Sequence, residues 1–215
     1  MLASRRHFLN LSLAGAGTAA TLALAACGSD ANAVDAKELM KPGSLPEMEM
    51  GKSDAPVTVI EYSSLGCPHC AEFEKDVFPH LKKTYIDTGK VRFISRDFPL
   101  DQVAAAAAML ARCAPKDKYF DMIGLFYDKQ EVWHVTENPT DALFNLVKQT
   151  GFTRESFETC LKDQALLDGI TAQRQRGAEV FKIEGTPTFF VNAKRADNFQ
   201  TIADVDKTLS SYLGS

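Results

Sequence analysis

The sequence has 215 residues, of which 45% are hydrophobic, and it carries 24 basic and 28 acidic side chains. This composition allows one or two globular domains with an apolar core. The formal net charge of -4 gives no general attraction to nucleic acid, so we expect no nucleic-acid partner. Five cysteines cannot all pair with one another, so at least one of them has another role.

Residues 1–27 are typical of an export signal that is removed after translocation. The neighbouring Arg5 and Arg6 resemble the start of a twin-arginine signal, and an apolar stretch rich in alanine and glycine follows them. The end of this stretch, Leu24-Ala25-Ala26-Cys27, also resembles the lipobox of bacterial lipoproteins, whose cysteine is lipidated. The alternative is ordinary cleavage after a small residue, which leaves Cys27 near the mature N-terminus. We therefore expect an exported, periplasmic protein, and a membrane tether through Cys27 stays open.

The next segment leads into the first strands. Residues 28–46 contain several glycines, serines and prolines with little apolar periodicity, so we expect a flexible linker. Met48–Met50 is a candidate for a short edge strand. Val57–Tyr62 is rich in β-branched residues and follows a turn, which predicts a buried core strand.

A long helix and a second strand follow. Apolar residues at helical spacing predict a helix over Pro68–Thr88 with a kink near Pro79, and Gly89 suits the position just past its end. Val91–Phe98 is the second strand candidate. A strand, a helix and a strand in this spacing form a βαβ unit, so we expect the two strands to be parallel neighbours.

Two cysteines open this helix in the sequence Cys67-Pro68-His69-Cys70. Cys67 lies at the helix N-terminus, where unpaired backbone N–H groups and the positive end of the helix dipole favour the reactive thiolate. We expect Cys67 to be the exposed, attacking sulfur and Cys70, one turn further on, to be the resolving sulfur. The ring N–H or positive charge of His69 should stabilise the Cys67 thiolate further. Because this stabilisation belongs to the reduced protein alone, the pair should act as an oxidant.

From residue 100 to residue 182 the pattern is helical only, with no strand between. The predicted helices cover Gln102–Cys113, Lys118–Lys129, Thr140–Thr150, Thr153–Lys162 and Gln164–Phe181. Thr140 and Thr153 are expected N-caps, and Gly151 is an expected helix stop.

The α/β pattern resumes after the helices. Thr188–Val191 predicts a strand, and an amphipathic helix ends near Leu213. We interpret the chain as one domain inserted in another: residues 47–99 and 183–215 would form an α/β domain, and residues 100–182 a helical insertion. Three arginines are expected on solvated helix faces: Arg112, Arg174 and Arg176.

Several features together resemble the DsbA-like thiol-disulfide oxidoreductases of the thioredoxin superfamily. They are the Cys-Pro-His-Cys sequence at 67–70, an acidic residue six positions before it, Thr186-Pro187 ahead of a late strand, and the helical insertion. The resemblance covers residues 47–215 and implies the α/β thioredoxin fold with an inserted all-helical domain. It also implies that Glu61 is the family's buried acid, which exchanges protons with the second cysteine. The alternative for Glu61 is a solvated strand edge.

The same resemblance assigns substrate binding to Pro68, Thr186 and Pro187. A cis proline exposes backbone that can pair with an extended peptide. The implied substrates are exported proteins with paired cysteines, and the implied oxidant is a DsbB-like membrane partner or a small molecule. Threonine at position 186 also occurs in isomerase-like and reductase-like relatives, whereas valine is common in strong oxidases. An isomerase or reductase on the same fold is therefore one alternative.

The cysteines allow other roles as well. Zinc would need two further ligands beside Cys67 and Cys70, and no second CxxC sequence or paired histidines follow, so we expect no metal and no other cofactor. A non-catalytic lipoprotein in which this pair is a structural disulfide is the alternative of a different class. Cys113 and Cys160 lie on separate predicted helices, and we expect them to form a structural disulfide, with two buried free thiols as the alternative.

Overall fold

The computed structural model describes residues 34–214 of the chain. The predicted export signal, with Cys27, lies outside these residues. Within them, five strands form one mixed sheet in the order β1-β3-β2-β4-β5, with β1 Met48–Met50, β2 Val57–Ser63, β3 Val91–Asp97, β4 Thr188–Val191 and β5 Lys194–Ala196. β2 and β3 are parallel, as the βαβ pattern predicts, and β1–β3, β2–β4 and β4–β5 are antiparallel. The sequence analysis missed β5, which is only three residues long.

Different apolar clusters cover the two faces of the sheet, because side chains alternate along each strand. Val59 of β2 and Phe93 of β3 pack into one cluster, whereas Tyr62 packs into the cluster on the other side. Glu61 shares the Val59 face and is paired in register with Ser95 of β3. Since β2 is flanked by β3 and β4, Glu61 lies in the interior of the sheet.

The predicted long helix after β2 is broken in the structure. α2 covers Pro68–Asp76, α3 covers Phe78–Leu81, and one π-helical turn covers Lys82–Ile86. Pro79 lies in the first turn of α3, where it lacks the N–H that a continuous helix would use and its ring would clash with the preceding turn. Gly89 has a φ of +77°, in the left-handed region that favours glycine, and it ends the helical segment as expected.

Helices alone connect β3 to β4, which confirms the helical pattern expected there. They are α4 Gln102–Cys113, a 3-10 turn Lys116–Lys118, α5 Tyr119–Asp128, α6 Gln130–Trp133, α7 Pro139–Val147, a 3-10 turn Lys148–Thr150, α8 Arg154–Leu161 and α9 Gln164–Val180. α10, Ile202–Leu213, follows β5. Buried aromatic side chains, among them Trp133 and Phe126, form the core of these helices, and Cys67 and Cys70 belong to the same apolar cluster.

Two of the expected helix boundaries can be compared directly. Thr153 caps α8 and forms a reciprocal capping box with Ser156, as predicted. The expectation for Thr140 is wrong, because Asn138 caps α7 and Pro139 occupies the first helical position. The sequence analysis also missed α6, which has only four residues.

The flexible linker expected over 28–46 is wrong for residues 34–46. α1, Ala36–Met40, lies in this segment, and its Leu39 side chain is 1% exposed. Arg176 donates hydrogen bonds to the carbonyl oxygens of Glu38 and Lys41, and Arg96 donates to that of Leu39. Arginines from β3 and α9 therefore bind the backbone of the segment, which compensates for its weak apolar pattern.

The arginines expected on solvated faces also have specific partners. Arg112 is 5% exposed at its side chain and forms an ion pair with Asp97, which is 6% exposed. Arg174 donates to the Pro99 carbonyl oxygen. The helical pattern could not show these contacts, because each partner comes from a different element.

Candidate active site

Cys67 is the N-cap residue of α2 and lies next to the loop that precedes β4. Its thiol donates to the carbonyl oxygen of Thr186 at 3.2 Å. The residue is 4% exposed, so the expectation of an exposed sulfur is wrong. The loop that contains Thr186 covers the sulfur, whereas Pro68 and His69 at the start of α2 are exposed.

The hydrogen bonds around the Cys67 sulfur favour its thiolate form. Its pKa is lowered from the ordinary value of 9.0 to about 5. The largest cause is a hydrogen bond from the Cys70 thiol, which outweighs the opposing effect of burial. The Thr186 side chain and the backbone N–H groups of Cys70 and His69 contribute further hydrogen bonds. The backbone N–H groups at the helix start therefore contribute as the sequence analysis expected, but the Cys70 thiol is the larger donor.

Cys70 has the opposite character. It is fully buried, and its pKa is raised, chiefly by burial and then by its hydrogen bond to Cys67 and the negative charge of Glu61. Both cysteines are free thiols in this structure. The pair is therefore asymmetric: one sulfur is readily ionised, and the other is held as a neutral thiol.

His69 contributes less to the thiolate through its ring than the sequence analysis expected. Its ring lies 3.1 Å from a carboxylate oxygen of Glu72, and the side chain is 71% exposed. This hydrogen bond is the largest cause of its raised pKa, followed by the charge of Glu72 and then that of Cys67. In this arrangement the ring N–H of His69 donates a hydrogen bond to Glu72, whereas the backbone N–H of His69 donates to the Cys67 thiolate.

Glu61 is buried, at 6% exposure, so a solvated strand edge is excluded for it. Its pKa is raised well above 4.5, chiefly by burial and then by the charges of Glu74 and Cys67. Glu61 also raises the pKa of Cys70 through its charge. The carboxyl group and the buried thiol are thus electrostatically coupled.

Replacing Glu61 by glutamine should raise the free energy of unfolding, and the gain should grow with pH. A group whose pKa is raised by folding stabilises the protein below its unfolded pKa and loses that contribution as the pH rises through its folded pKa. Glu61 therefore opposes folding above about pH 4.5, at up to about 1.4 kcal/mol per pH unit, whereas an uncharged glutamine does not. Urea unfolding of both proteins at several pH values tests this. Glu155→Gln, an exposed change on α8, is the control, and parallel pH curves for wild type and Glu61→Gln would contradict the expectation.

Two groups near the cysteines were missed from the sequence. Glu74 follows Cys70 by one helical turn, and burial raises its pKa to about 7. It lines a groove of about 760 Å³ between α2 and the α5–α6 region. Tyr127 of α5 donates to the Ser64 carbonyl oxygen at 3.4 Å. The i to i+4 spacing of Cys70 and Glu74 is the only sequence signal that pointed to this acid.

The loop before β4 contains a cis peptide bond between Thr186 and Pro187, as the resemblance implies. The Thr186 hydroxyl is buried and has no hydrogen-bond partner while Cys67 is a neutral thiol. It is close enough to Cys67 to contribute to the lowered pKa of that thiol. The hydroxyl is therefore a donor available to the thiolate.

Cys113 and Cys160 form a disulfide, with a Cα–Cα distance of 6.1 Å. It joins the end of α4 to α8, which is the pairing that the sequence analysis expected. Among residues 34–214, no group of three or more His, Cys, Asp or Glu side chains has an arrangement suited to a metal ion.

Comparison with known proteins gives consistent matches. The family model described as Thioredoxin matches residues 44–211. One relative is a Rickettsia bellii protein provisionally named protein-disulfide oxidoreductase, which is 32% identical to this chain over 170 residues. The aligned residues cover 76% of this chain and 64% of that protein. The chain thus spans less than two thirds of that relative. Disulfide bond formation protein D of Bacillus subtilis is 29% identical over 171 residues, 76% of each protein.

Among solved structures, the crystal structure of Wolbachia pipientis α-DsbA1 has a TM-score of 0.76 and 28% sequence identity. The superposition covers 84% of this chain and 96% of that one. Sequence match, fold and the paired cysteines agree with one another. The chain therefore belongs to the thioredoxin superfamily and has the fold of its DsbA-like members.

Proposed function

We propose that this protein introduces disulfides into exported polypeptides by thiol-disulfide exchange through Cys67 and Cys70. The observation that carries the proposal is the asymmetry of the pair: the pKa of Cys67 is lowered to about 5, whereas that of Cys70 is raised. Only an ionised thiol exchanges readily, and a stabilised thiolate is also a good leaving group. A purely structural disulfide requires neither a readily ionised thiol nor a good leaving group.

The exchange moves two electrons from a substrate dithiol to the enzyme disulfide. A substrate thiolate attacks Cys67, a substrate–Cys67 bond forms, and the Cys67–Cys70 bond breaks with the electron pair going to Cys70. The second substrate thiolate then attacks the first substrate sulfur and releases Cys67 as its thiolate. The substrate leaves with a disulfide, and the enzyme is left as a dithiol.

Glu61 supplies the proton that Cys70 takes up when it leaves. Burial raises its pKa well above 4.5, which favours the protonated carboxyl, and its charge is coupled to Cys70. A proton donor inside the protein matters here because water does not reach a fully buried sulfur.

Substrate polypeptides are proposed to dock at Pro68, Thr186 and Pro187. Pro68 is exposed beside Cys67, and the Thr186 carbonyl oxygen lies 3.2 Å from the Cys67 sulfur. An extended segment could pair with the backbone of this loop while its cysteine meets Cys67. In this proposal residues 47–99 and 183–215 carry the chemistry, and 100–182 are the helical insertion.

The proposed location is the periplasm, where an oxidising environment permits both disulfides. We propose a DsbB-like membrane partner or a small-molecule oxidant as the acceptor of the two electrons. Lipidation of Cys27 is a further hypothesis, which mass spectrometry of the mature N-terminus would test. None of the helices in residues 34–214 combines the length and hydrophobicity that crossing a membrane requires.

The reduced protein should gain stability relative to the oxidised protein as the pH rises from about 5 to about 8. An ordinary thiol in the unfolded chain stays protonated up to about pH 8.5. In this interval the unfolded reduced chain therefore binds one more proton than the folded protein, whose Cys67 has a pKa of about 5. The free energy of unfolding then rises by up to about 1.4 kcal/mol per pH unit.

Urea unfolding of both redox forms across this pH range measures the effect. Glu61 and Glu74 act in the opposite direction and are present in either form, so the difference reports the ionisation of Cys67 together with its charge coupling to Glu61 and His69. A difference that does not change with pH would contradict a stabilised Cys67 thiolate.

The experiment that tests the function is a redox titration of the mature protein against glutathione, together with oxidation of a reduced, unfolded protein that contains paired cysteines. An oxidising potential and rapid oxidation support a disulfide donor. A reducing potential with faster repair of scrambled disulfides would instead assign an isomerase or reductase.

A further inference from the structure

Gln130 of α6 binds backbone carbonyl groups on both sides of Gly66 in the redox loop, a name used here for Leu65–Cys67. Its side-chain nitrogen donates to the Leu65 carbonyl oxygen at 2.6 Å and to the Cys67 carbonyl oxygen at 3.1 Å. Two carbonyl acceptors require the NH₂ end of the amide to face the loop. The Cys67 carbonyl oxygen also accepts from the Ala71 N–H, in the first turn of α2. Gln130 therefore binds the N-cap residue of the active-site helix.

His134 contacts the same loop from one turn further along the chain. Its Nε2 donates to Asp101 Oδ2 at 2.9 Å, and a Cβ placed on Gly66 would lie 2.6 Å from that nitrogen. The spacing of four residues puts Gln130 and His134 on one helical face. A side chain at position 66 would displace the His134 ring, because the insertion packs directly against this position.

α6 is itself held in place. Trp133 is fully buried, and its indole N–H donates to the Phe126 carbonyl oxygen of α5 at 2.8 Å. Asp101, the partner of His134, caps α4 by accepting from the Ala104 N–H. The helical core therefore fixes the position of the side chain that binds the redox loop.

We propose that Gln130 is a positioning residue of the redox site, through which the helical insertion stabilises the Cys67 thiolate. The inference rests on the proposed function and deepens it. The backbone N–H groups of His69 and Cys70 reach the Cys67 sulfur only while the first turn of α2 keeps its orientation relative to its N-cap. Gln130 holds the N-cap carbonyl and the carbonyl two residues earlier, so it fixes the backbone immediately before the peptide planes that carry these donors.

Gln130→Met tests the inference, because methionine has a similar length and no donor. We expect the pKa of Cys67 to rise by about one unit and the redox equilibrium with glutathione to shift about tenfold toward the disulfide form. Thiolate absorbance against pH and the glutathione titration measure the two quantities. Gln149→Met is the matched control: Gln149 is exposed and donates to the Asn145 carbonyl oxygen in another part of the insertion, so both quantities should keep their wild-type values.

A second variant, Gln130→Glu, keeps the shape and replaces the donor by a carboxylate. It should raise the pKa of Cys67 more than methionine does, because the carboxylate repels both carbonyl oxygens and the thiolate. Folded variants with wild-type pKa and redox equilibrium would overturn the proposal, and lower unfolding stability without a redox change would assign Gln130 a structural role only. If wild type itself did not exchange with glutathione, the proposed function would fail, while the pKa comparison would still decide the role of Gln130.

Discussion

Replacement of Cys67 by alanine should reduce the oxidation of a reduced substrate protein to the uncatalysed background. The variant has no internal disulfide to donate, and its remaining thiol, Cys70, is fully buried with a raised pKa. A neutral, inaccessible thiol neither attacks nor leaves readily. The rate of substrate oxidation under a fixed excess of oxidant measures the loss.

Cys70→Ser is the variant to compare with Cys67→Ala. Serine keeps a hydroxyl that can donate to the Cys67 sulfur, so the main hydrogen bond that lowers the Cys67 pKa has a replacement. The Cys67 thiolate should still attack a partner disulfide and release one of its sulfurs as a thiolate, and the mixed disulfide should persist because no Cys70 thiol can displace the partner. Non-reducing gels should show trapped complexes for Cys70→Ser and none for Cys67→Ala. If wild type and Cys67→Ala both oxidise the substrate at the uncatalysed background rate, the non-catalytic lipoprotein is favoured instead.

Removal of the second disulfide should lower the free energy of unfolding by about 2–4 kcal/mol. Cys113 and Cys160 are separated by 47 residues, and a cross-link of that span restricts the unfolded chain substantially. The double variant Cys113→Ala, Cys160→Ala also loses packing, because Cys160 is buried in the helical core. Urea unfolding measures the total effect.

Two comparisons separate the cross-link from the packing. All proteins are prepared with Cys67→Ala, so that the catalytic pair does not contribute. The protein with Cys113 and Cys160 reduced loses only the cross-link, whereas the alanine variant loses the side-chain contacts as well. Thiol counting on unreduced, denatured Cys67→Ala protein should find one alkylatable thiol among residues 34–214, and three would rule out the bridge. With Cys67 restored, the Cys113→Ala, Cys160→Ala variant should keep its thiol-disulfide exchange, because the bridge lies on α4 and α8.

Local features were readable from the sequence because neighbouring residues produce them. Alternation in β2, the proline at the start of α2 and the spacing of Cys67 and Cys70 depend on a few adjacent positions. Elements whose stability comes from distant contacts were missed or wrong. α6 has four residues and is fixed by Trp133, and residues 34–46 are bound by arginines from elsewhere in the fold.

By itself, the sequence determined the βαβ start, the helical stretch before β4 and the identity of the redox cysteines. Only the tertiary structure decided how those cysteines are set: Cys67 is covered by Thr186, which lies 119 residues away in the chain, and Gln130 binds the redox loop from 63 residues beyond Cys67. The physical reason is that secondary structure and sulfur chemistry follow from adjacent residues. Burial, pKa and hydrogen-bond partners instead depend on which distant segments the fold brings within a few ångströms.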